Sequence, residues 1–369
     1  MKILYSAAVF GDEEKNAVWL ALGNTMLSVG PLSEEFEKQI AKLFNKKYAV
    51  FVNSGSSANL LACTILPKGE VITPALTFAT TLAPIIQTGH KPVFVDSEIS
   101  TYLPTIENIE KLITKKTVAV LIPNLLGNRM DSARLRALCD EKNIIYIEDD
   151  CDTICESSGH IAITSFYGSH IITAMGGGGM IMTDDETLAK RFRTMRDWGR
   201  GATESEVIAD RYTQTVGNFL YDNKFLYVEK GFNFRPVEAM AAFGLEQLKR
   251  LDGFLAKRKA NFISLLEFFE REFPQFTLPF TQFHANWLAF PLLVDNRYKL
   301  VKYLEEHEIQ TRPIFSGNIT RHPAFYSSHR PRKFPNADYV MKHGLLIGIH
   351  QGLGEEQLEY IKQTFRGFK

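Results

Sequence analysis

The sequence predicts an α/β fold: a mainly parallel sheet with helices on both faces, followed by a smaller α+β unit. Two observations carry that expectation. Over the first two thirds of the chain, short apolar runs alternate with stretches of helical periodicity, the mark of a parallel sheet with crossover helices. In the last third the alternation gives way to one long helical stretch from Pro236 into the 260s, then to strands and helices of other spacing. At 369 residues the chain can form one large and one smaller domain.

The elements follow in order. "YAVFVN" (48–53) reads as a strand and "SSANLLACTIL" as a helix. "EVIT" (70–73) is a strand, "FATTLAPIIQTG" a helix that stops at its glycine, and "KPVFVD" a strand. "TIENIEKLIT" is a helix with a threonine cap signal. "TVAVLIP" is a strand, "DSARLRALCDEKN" a helix and "IIYIEDD" a strand. "MIMTDDETLAKRFRTMRDWG" reads as strand, cap and helix. Residues 201–230 are aromatic and without periodicity, a long irregular segment of the kind that often carries function. The helical stretch that follows is interrupted near Asp252-Gly253. A boundary at 245–255 is expected, giving a large domain over 1–250 and a small one over 251–369. In the latter, "WLAFPLLV" reads as strand, "RYKLVKYLEEHE" and "EEQLEYIKQTF" as helices.

Charge and composition exclude several classes. Forty-two basic residues balance 42 acidic ones, so no basic footprint points to nucleic acid. No apolar run approaches the roughly 18 residues of a membrane span. The opening "MKILYSAAVFGDEEK" turns acidic without a cleavage pattern, and is not read as a signal peptide. Cys63, Cys139, Cys151 and Cys155 sit in apolar or helical contexts. They read as buried thiols in a cytoplasmic protein, not as disulfides or a metal site.

Three stretches could do chemistry. "FVNSGSSANLL" turns from a strand into a helix start, where free N–H groups and the helix dipole favour an anion, a phosphate above all. Gly55 would let a ligand approach, and Ser56 and Ser57 add hydroxyls. "IIYIEDDCD" delivers Glu148, Asp149, Asp150 and Asp152 at the carboxyl end of a strand, where open α/β sheets bind ligands. A carboxylate there can hold a protonated ring nitrogen or a metal; no histidine falls at metal-ligand spacing. "SFYGSHIITAMGGGGM" (165–180) puts Ser165 at a strand end, His170 five residues on, and then four glycines. No lysine occurs between Lys142 and Lys190. Taken singly, each stretch also has a plain structural reading: a serine-capped helix, an acidic loop, a histidine at a turn.

Together and in this order, "SVGPLSEEFEKQIAKLF", "NSGSSANLLA", "PALTFATTLAPI", "IEDDCD", "SFYGSH…GGGG" and "GFNFRPVEAMAAFGLEQLKRLD" resemble the DegT/DnrJ/EryC1/StrS sugar aminotransferases. These are fold-type I pyridoxal phosphate enzymes, and the resemblance runs from about residue 10 to the C-terminus. It implies an aspartate-aminotransferase-like large domain with a mainly parallel, seven-stranded type of sheet and an N-terminal arm, plus a small α+β domain. In the typical member a lysine stands five residues after the serine of the Ser-Phe pair and binds the cofactor covalently. Here that position is His170.

The same exchange marks a subgroup, the nucleotide-sugar 3-dehydratases, and two of its branches are similar. "NLLGN" (124–128), "NFRPVE" and "GLLIGIHQ" resemble the GDP-4-keto-6-deoxymannose 3-dehydratases; "RDWGR" (196–200), "YDNK" (221–224) and "SGNITR" (316–321) resemble the CDP-4-keto-6-deoxyglucose 3-dehydrases. The second branch carries an iron–sulfur cluster, with two cysteine ligands just after "RDWGR". Ala202 and Glu204 stand where those cysteines would be, and no cysteine follows Cys155. The departure points to cluster-free chemistry. Gly177 stands where a glutamate is usual, with one extra residue between His170 and the glycines.

What the resemblance implies for the site can be stated by residue. Gly55, Ser56 and Ser165 take the phosphate of pyridoxamine or pyridoxal 5'-phosphate, and Asn233 reaches a phosphate from the partner subunit of a homodimer. Phe78 stacks on the pyridine, Asp149 pairs with its nitrogen, and Asp152 lies near it or in its orienting shell. His170 is the general base, the substrate is a nucleotide-linked 4-keto-6-deoxy sugar, and L-glutamate is the amino donor. No metal, membrane or nucleic acid is implied. A nucleotide-sugar aminotransferase-like enzyme without the lysine, or a catalytically silent sugar-binding relative, remains as the alternative. The nucleotide (GDP, CDP, dTDP or UDP) is left open. Asn124, Arg312, Asn318 and Arg321 are substrate contacts or packing residues by neighbourhood alone.

Overall fold

In the computed structural model, which describes residues 1–201, 207–280, 285–326 and 333–368, the apolar runs of the first half form one sheet. Helices α1 (Asp12–Leu22) and α2 (Pro31–Leu43) lead into it. Then come β1 (Tyr48–Val52), α3 (Gly55–Thr64), β2 (Glu70–Pro74), α4 (Ala79–Gln87), β3 (Lys91–Val95), α5 (Ile106–Glu110) and β4 (Thr117–Pro123). They are followed by α6 (Ser132–Glu141), β5 (Ile145–Asp149), β6 (Ile161–Ser165), β7 (Gly179–Thr183) and α7 (Glu186–Arg196). The seven strands lie in the order β1-β7-β6-β5-β4-β2-β3. Strand β7 runs antiparallel to β1 and β6, and every other pair is parallel.

Both faces of the sheet are covered, which is why the strands read as unbroken apolar runs. Side chains alternate: Val50 and Val52 pack with Leu61 of α3 and Phe192 of α7, while Ala49 and Phe51 pack with Phe36 and Ile40 of α2. A buried acid ties two helix starts together. Glu238 accepts hydrogen bonds from the Gly30, Leu32 and Ser33 N–H groups at the head of α2, at 2.9–3.0 Å.

Two expectations need correction. The segment after 201 is not irregular where it is described. It holds a short helix, α8 (Ile208–Arg211), and a hairpin of β8 (Gln214–Val216) and β9 (Phe219–Tyr221). Three-residue strands with no buried face leave no apolar alternation to detect. Ala202 and Glu204 lie outside the described residues. The helical stretch breaks at Arg250, between α9 (Glu238–Lys249) and α10 (Leu251–Glu272), so Asp252 and Gly253 sit inside the first turn of α10.

The C-terminal elements are β10 (Phe290–Leu293), α11 (Arg297–Glu306), β11 (Thr311–Arg312), α12 (Pro323–Tyr326), α13 (Pro335–His343), β12 (Gly344–Ile347) and α14 (Glu355–Gly367). Strands β10, β12 and β11 form an antiparallel sheet in that order. Its core is continuous with the β2–β5 end of the large sheet: Ile72, Val120 and Tyr146 belong to one cluster with Phe262, Phe290 and Ile347. The first residues join that C-terminal unit. Ile3 pairs with Ile309, is fully buried, and belongs to the same cluster.

Candidate active site

The site is built where the strands end. Strand β1 stops at Val52, and Ser54 caps α3 by accepting a hydrogen bond from Ser57 N–H at 3.1 Å. Gly55 and Ser56 form the first turn of α3, where N–H groups have no acceptor within the helix itself. Ser57 is turned under the turn, its hydroxyl donating to Asn53 Oδ1 at 2.7 Å. Gly55 serves packing first. A Cβ there would stand 2.7 Å from Ser165 Cβ and 2.9 Å from Cys151 Sγ. The missing side chain lets the head of α3 sit directly on the ends of β5 and β6, and so brings Ser165 to the helix N-terminus.

The glycine run has a physical cause. Gly176 (φ +89°) and Gly178 (φ +91°) occupy left-handed backbone that a side chain would strain. Gly178 N–H donates to Asn53 O and its carbonyl accepts from Phe166 N–H, both at 3.0 Å. Gly179 pairs with Val52 on one side and Ser165 on the other. A Cβ on it would lie 2.4 Å from Gly55 N and from the Ser54 carbonyl carbon. The run therefore forms the floor under the α3 head. Gly177 is the least constrained of the four: its φ is not left-handed, and its Cβ would meet only Met240 Cε at 3.3 Å and Asn53 O at 3.7 Å.

At the end of β5 the acidic cluster divides into unlike roles. The Asp149 carboxylate accepts from Asn59 Nδ2 and Thr81 Oγ1, each at 3.0 Å, and from Cys151 N–H at 3.2 Å. Asp152 accepts from Leu126 N–H at 2.9 Å; burial, with the Asp149 charge adding to it, pushes its carboxyl up to about 7. Glu148 and Asp150 face away from the site. Glu148 is ringed by Ser132, Ser157 and the Ser158 and Gly159 N–H groups. Burial and the neighbouring Glu148 hold the Asp150 carboxyl well above the usual range. Asn124 bridges the two, donating to Glu148 at 3.0 Å and Asp150 at 2.5 Å.

His170 lies half-buried across the pocket. Its Nδ1 stands 3.0 Å from Ser165 O. A carbonyl can only accept, so Nδ1 carries the hydrogen in the neutral ring, and Nε2 keeps the free lone pair. Burial lowers the imidazole's affinity for a second proton; the Ser165 carbonyl opposes this, and the Arg258 charge reinforces it.

Gly55, Ser56, Phe78, Asp149, Asp152, Ser165 and His170 all line one cavity of about 960 Å³. Phe78 is half exposed into it, with its ring edge-on to Phe315 at 5.9 Å. Asn233 is not brought there: it is exposed and pairs with Asp197. Of the four residues named by neighbourhood, only Arg312 lines the cavity. Asn124 is buried as described, and Asn318 and Arg321 both bind Asp338. Sequence reasoning missed Tyr5, Asn59, Thr81 and Tyr167. Asn59 had a signal, one helical turn after Gly55 on α3; Tyr5 arrives from the N-terminus with none.

The donor set suits a phosphorylated, nitrogen-containing ring. A helix start with two serine hydroxyls faces a carboxylate already oriented by three donors, and an exposed aromatic face stands beside them. The family model described as DegT/DnrJ/EryC1/StrS aminotransferase family matches residues 9–366. The chain is 34% identical to the lipopolysaccharide biosynthesis protein RfbH of Salmonella typhimurium, over 98% of this chain and 91% of that protein. It is 31% identical to the dTDP-4-dehydro-2,6-dideoxy-D-glucose 3-dehydratase of Saccharopolyspora spinosa, over 98% and 86%. A solved structure of the E coli GDP-4-keto-6-deoxy-D-mannose-3-dehydratase with bound hydrated PLP superposes with a TM-score of 0.88, at 29% identity and full coverage of both chains.

Proposed function

Because the chain belongs to the DegT/DnrJ/EryC1/StrS aminotransferase family, we propose that it is a pyridoxamine/pyridoxal-phosphate-dependent 3-dehydratase of a nucleotide-linked 4-keto-6-deoxyhexose. One observation carries the reading: His170 faces Asp149 and the α3 head across the cavity, with no lysine between Lys142 and Lys190 to bind a cofactor covalently. Relatives named as 3-dehydratases support it.

The residues present fit the cofactor. Gly55 N–H, the Ser56 N–H and hydroxyl, and Ser165 Oγ would hold its phosphate; Phe78 would cover a ring face, and Asp149 would accept from the ring nitrogen. When bound, the cofactor supplies an amine for the C4 ketone and a ring that takes up electrons. L-Glutamate restores the amine form. The Arg312 guanidinium, with no carboxylate partner among the described residues, supplies a counter-charge for an anionic group of the substrate or of glutamate. His170 Nε2, held open by the Ser165 carbonyl, takes the proton that must leave and returns one to the departing 3-hydroxyl. The product is a 3-deoxy-4-keto sugar, released with ammonia.

Two finer points belong to the same reading. The chain works without an iron–sulfur cluster, since no cysteine follows Cys155 and the positions after "RDWGR" hold Ala202 and Glu204. It works as a homodimer: Trp19 and Leu20 of α1 are 76% and 73% exposed, and Phe219 of β9 is 76% exposed. Apolar faces of that kind call for a covering surface, and a second copy would also give Asn233 a partner's pocket to enter.

The test uses purified protein with pyridoxamine phosphate, glutamate and 4-keto-6-deoxy sugars on GDP, CDP, dTDP and UDP. Loss of the 3-hydroxyl with ammonia release is expected for one of them. A stable 4-amino sugar instead marks an aminotransferase, and no turnover with no spectral response to glutamate marks a silent relative.

A further inference from the structure

Resting on that reading of His170, we propose that Arg258 of α10 is a positioning residue for it: Arg258 closes a hydrogen-bonded chain from Asp152 to the His170 segment and holds a buried positive charge two hydrogen bonds from Ile171. The chain of bonds can be followed atom by atom. Leu126 N–H donates to Asp152 Oδ2 at 2.9 Å, and Leu288 N–H donates to Leu126 O at 2.8 Å. Arg258 Nη2 donates to Leu288 O at 2.6 Å, and Nη1 donates to Gln351 Oε1 at 2.6 Å. Gln351 Nε2 then donates to Ile171 O at 3.1 Å, one residue after His170. The loop carrying the base is thus braced to α10 and to the loop after β12, elements far from it in sequence.

The charge is the unusual part. Arg258 is 3% exposed, and among the described residues no carboxylate lies within ion-pair distance. Nor does its Nε have a hydrogen-bond partner among the described residues. A buried guanidinium without an anion is costly, and burial pulls its pKa down to about 10, which still leaves it charged at neutral pH. A methionine would fill the same space without that cost. The retained cation has a use if it must oppose protonation of His170. The charged and titratable groups around the imidazole are Arg258 from α10, Asp149 from β5, Tyr167 on its own loop, and Tyr5, Cys151, Asp152, Arg312 and His322 on the cavity wall. Asp149 favours the imidazolium, and Arg258 opposes it. The same charge, after burial, holds His350 neutral on the far side of the brace, down to about 4.

The experiment compares Arg258→Met, Arg258→Lys and Gln351→Leu with the parent holoenzyme. The His170 titration is followed by NMR of ring-labelled histidine, its signal assigned by loss in His170→Asn; pH profiles of kcat/KM are measured in parallel. Arg258→Met is expected to raise the His170 midpoint, to carry the acid limb of the profile up with it, and to lower kcat. Arg258→Lys keeps the midpoint. Gln351→Leu keeps the midpoint and lowers kcat at least about tenfold, with KM unchanged, because the loop is released while the charge stays. A midpoint that stays in place in Arg258→Met, or moves equally in Arg258→Lys, overturns the proposal, as does an undiminished kcat in Gln351→Leu. Should Arg258→Met fail to fold, the other two variants decide. A parent that dehydrates no keto sugar refutes the proposed function, and the titration still decides the effect of Arg258.

Discussion

Replacing Gly179 by alanine tests the central packing claim about the site. A Cβ at this position would lie 2.4 Å from Gly55 N, 2.4 Å from the Ser54 carbonyl carbon and 2.6 Å from Ser54 O. All three are backbone atoms at the head of α3, and none can swing aside as a side chain would. Reaching ordinary contact demands a shift of about 1 Å between β7 and α3. Gly179 is fixed on both sides by its register with Val52 and Ser165, so the helix head must yield. Overpacking of this kind costs about 1–3 kcal/mol, a melting point lower by several degrees. Phosphate-cradle geometry is lost with it, so Gly179→Ala is expected to bind pyridoxal phosphate at least about tenfold more weakly. Gly177→Ala is the control: its Cβ meets a flexible methionine tip at 3.3 Å, and its φ is not left-handed. It should melt and bind within error of the parent. Thermal melts and absorbance titration with pyridoxal phosphate read both effects. Parent-like cofactor affinity in Gly179→Ala would refute the assignment of the α3 head as the cradle.

Asp149→Asn should weaken cofactor binding about tenfold to a hundredfold, the loss of one charge-assisted hydrogen bond, in the same absorbance titration. His170→Lys should create a covalent bond to added pyridoxal phosphate, trapped by borohydride and read at residue 170 by mass spectrometry; an unmodified chain would mean that this position does not face the ring. Acid stability of the cofactor-free protein should reflect two opposed groups. Asp152, raised to about 7, contributes stability present below about 4 and lost as pH rises through 7; His350, lowered to about 4, contributes stability present above about 6.5 and lost as pH falls through 4. Each is worth at most about 3–4 kcal/mol. Urea unfolding between pH 4.5 and 7.5 should therefore show a steeper loss on acidification in Asp152→Asn and a flatter one in His350→Gln.

The parts legible in the sequence are those whose cause is local. Strands buried on both faces write continuous apolar runs, and seven such runs are the large sheet. A strand end followed by Ser-Gly-Ser writes a capped helix start, and Ser54 does cap α3. What could not be read depends on contacts between distant segments. The reason for Gly179 lies in Ser54 and Gly55, more than 120 residues earlier, so the glycine run looked like a turn. Asn124 carries the same side chain whether it binds substrate or bridges two buried acids; only its 1% exposure and its bonds to Glu148 and Asp150 decide for the second. Tyr5 and Arg258 had no motif to mark them. Tyr5 reaches the site because Ile3 pairs with Ile309 of the C-terminal unit, and Arg258 reaches the His170 segment through Gln351. Short motifs thus name the groups that line the cavity and are proposed to hold a cofactor, since such groups answer to a ligand's fixed chemistry. The groups that aim and charge-tune them answer only to this chain's packing, and a buried cation without an anion becomes visible only when burial and partners can be counted.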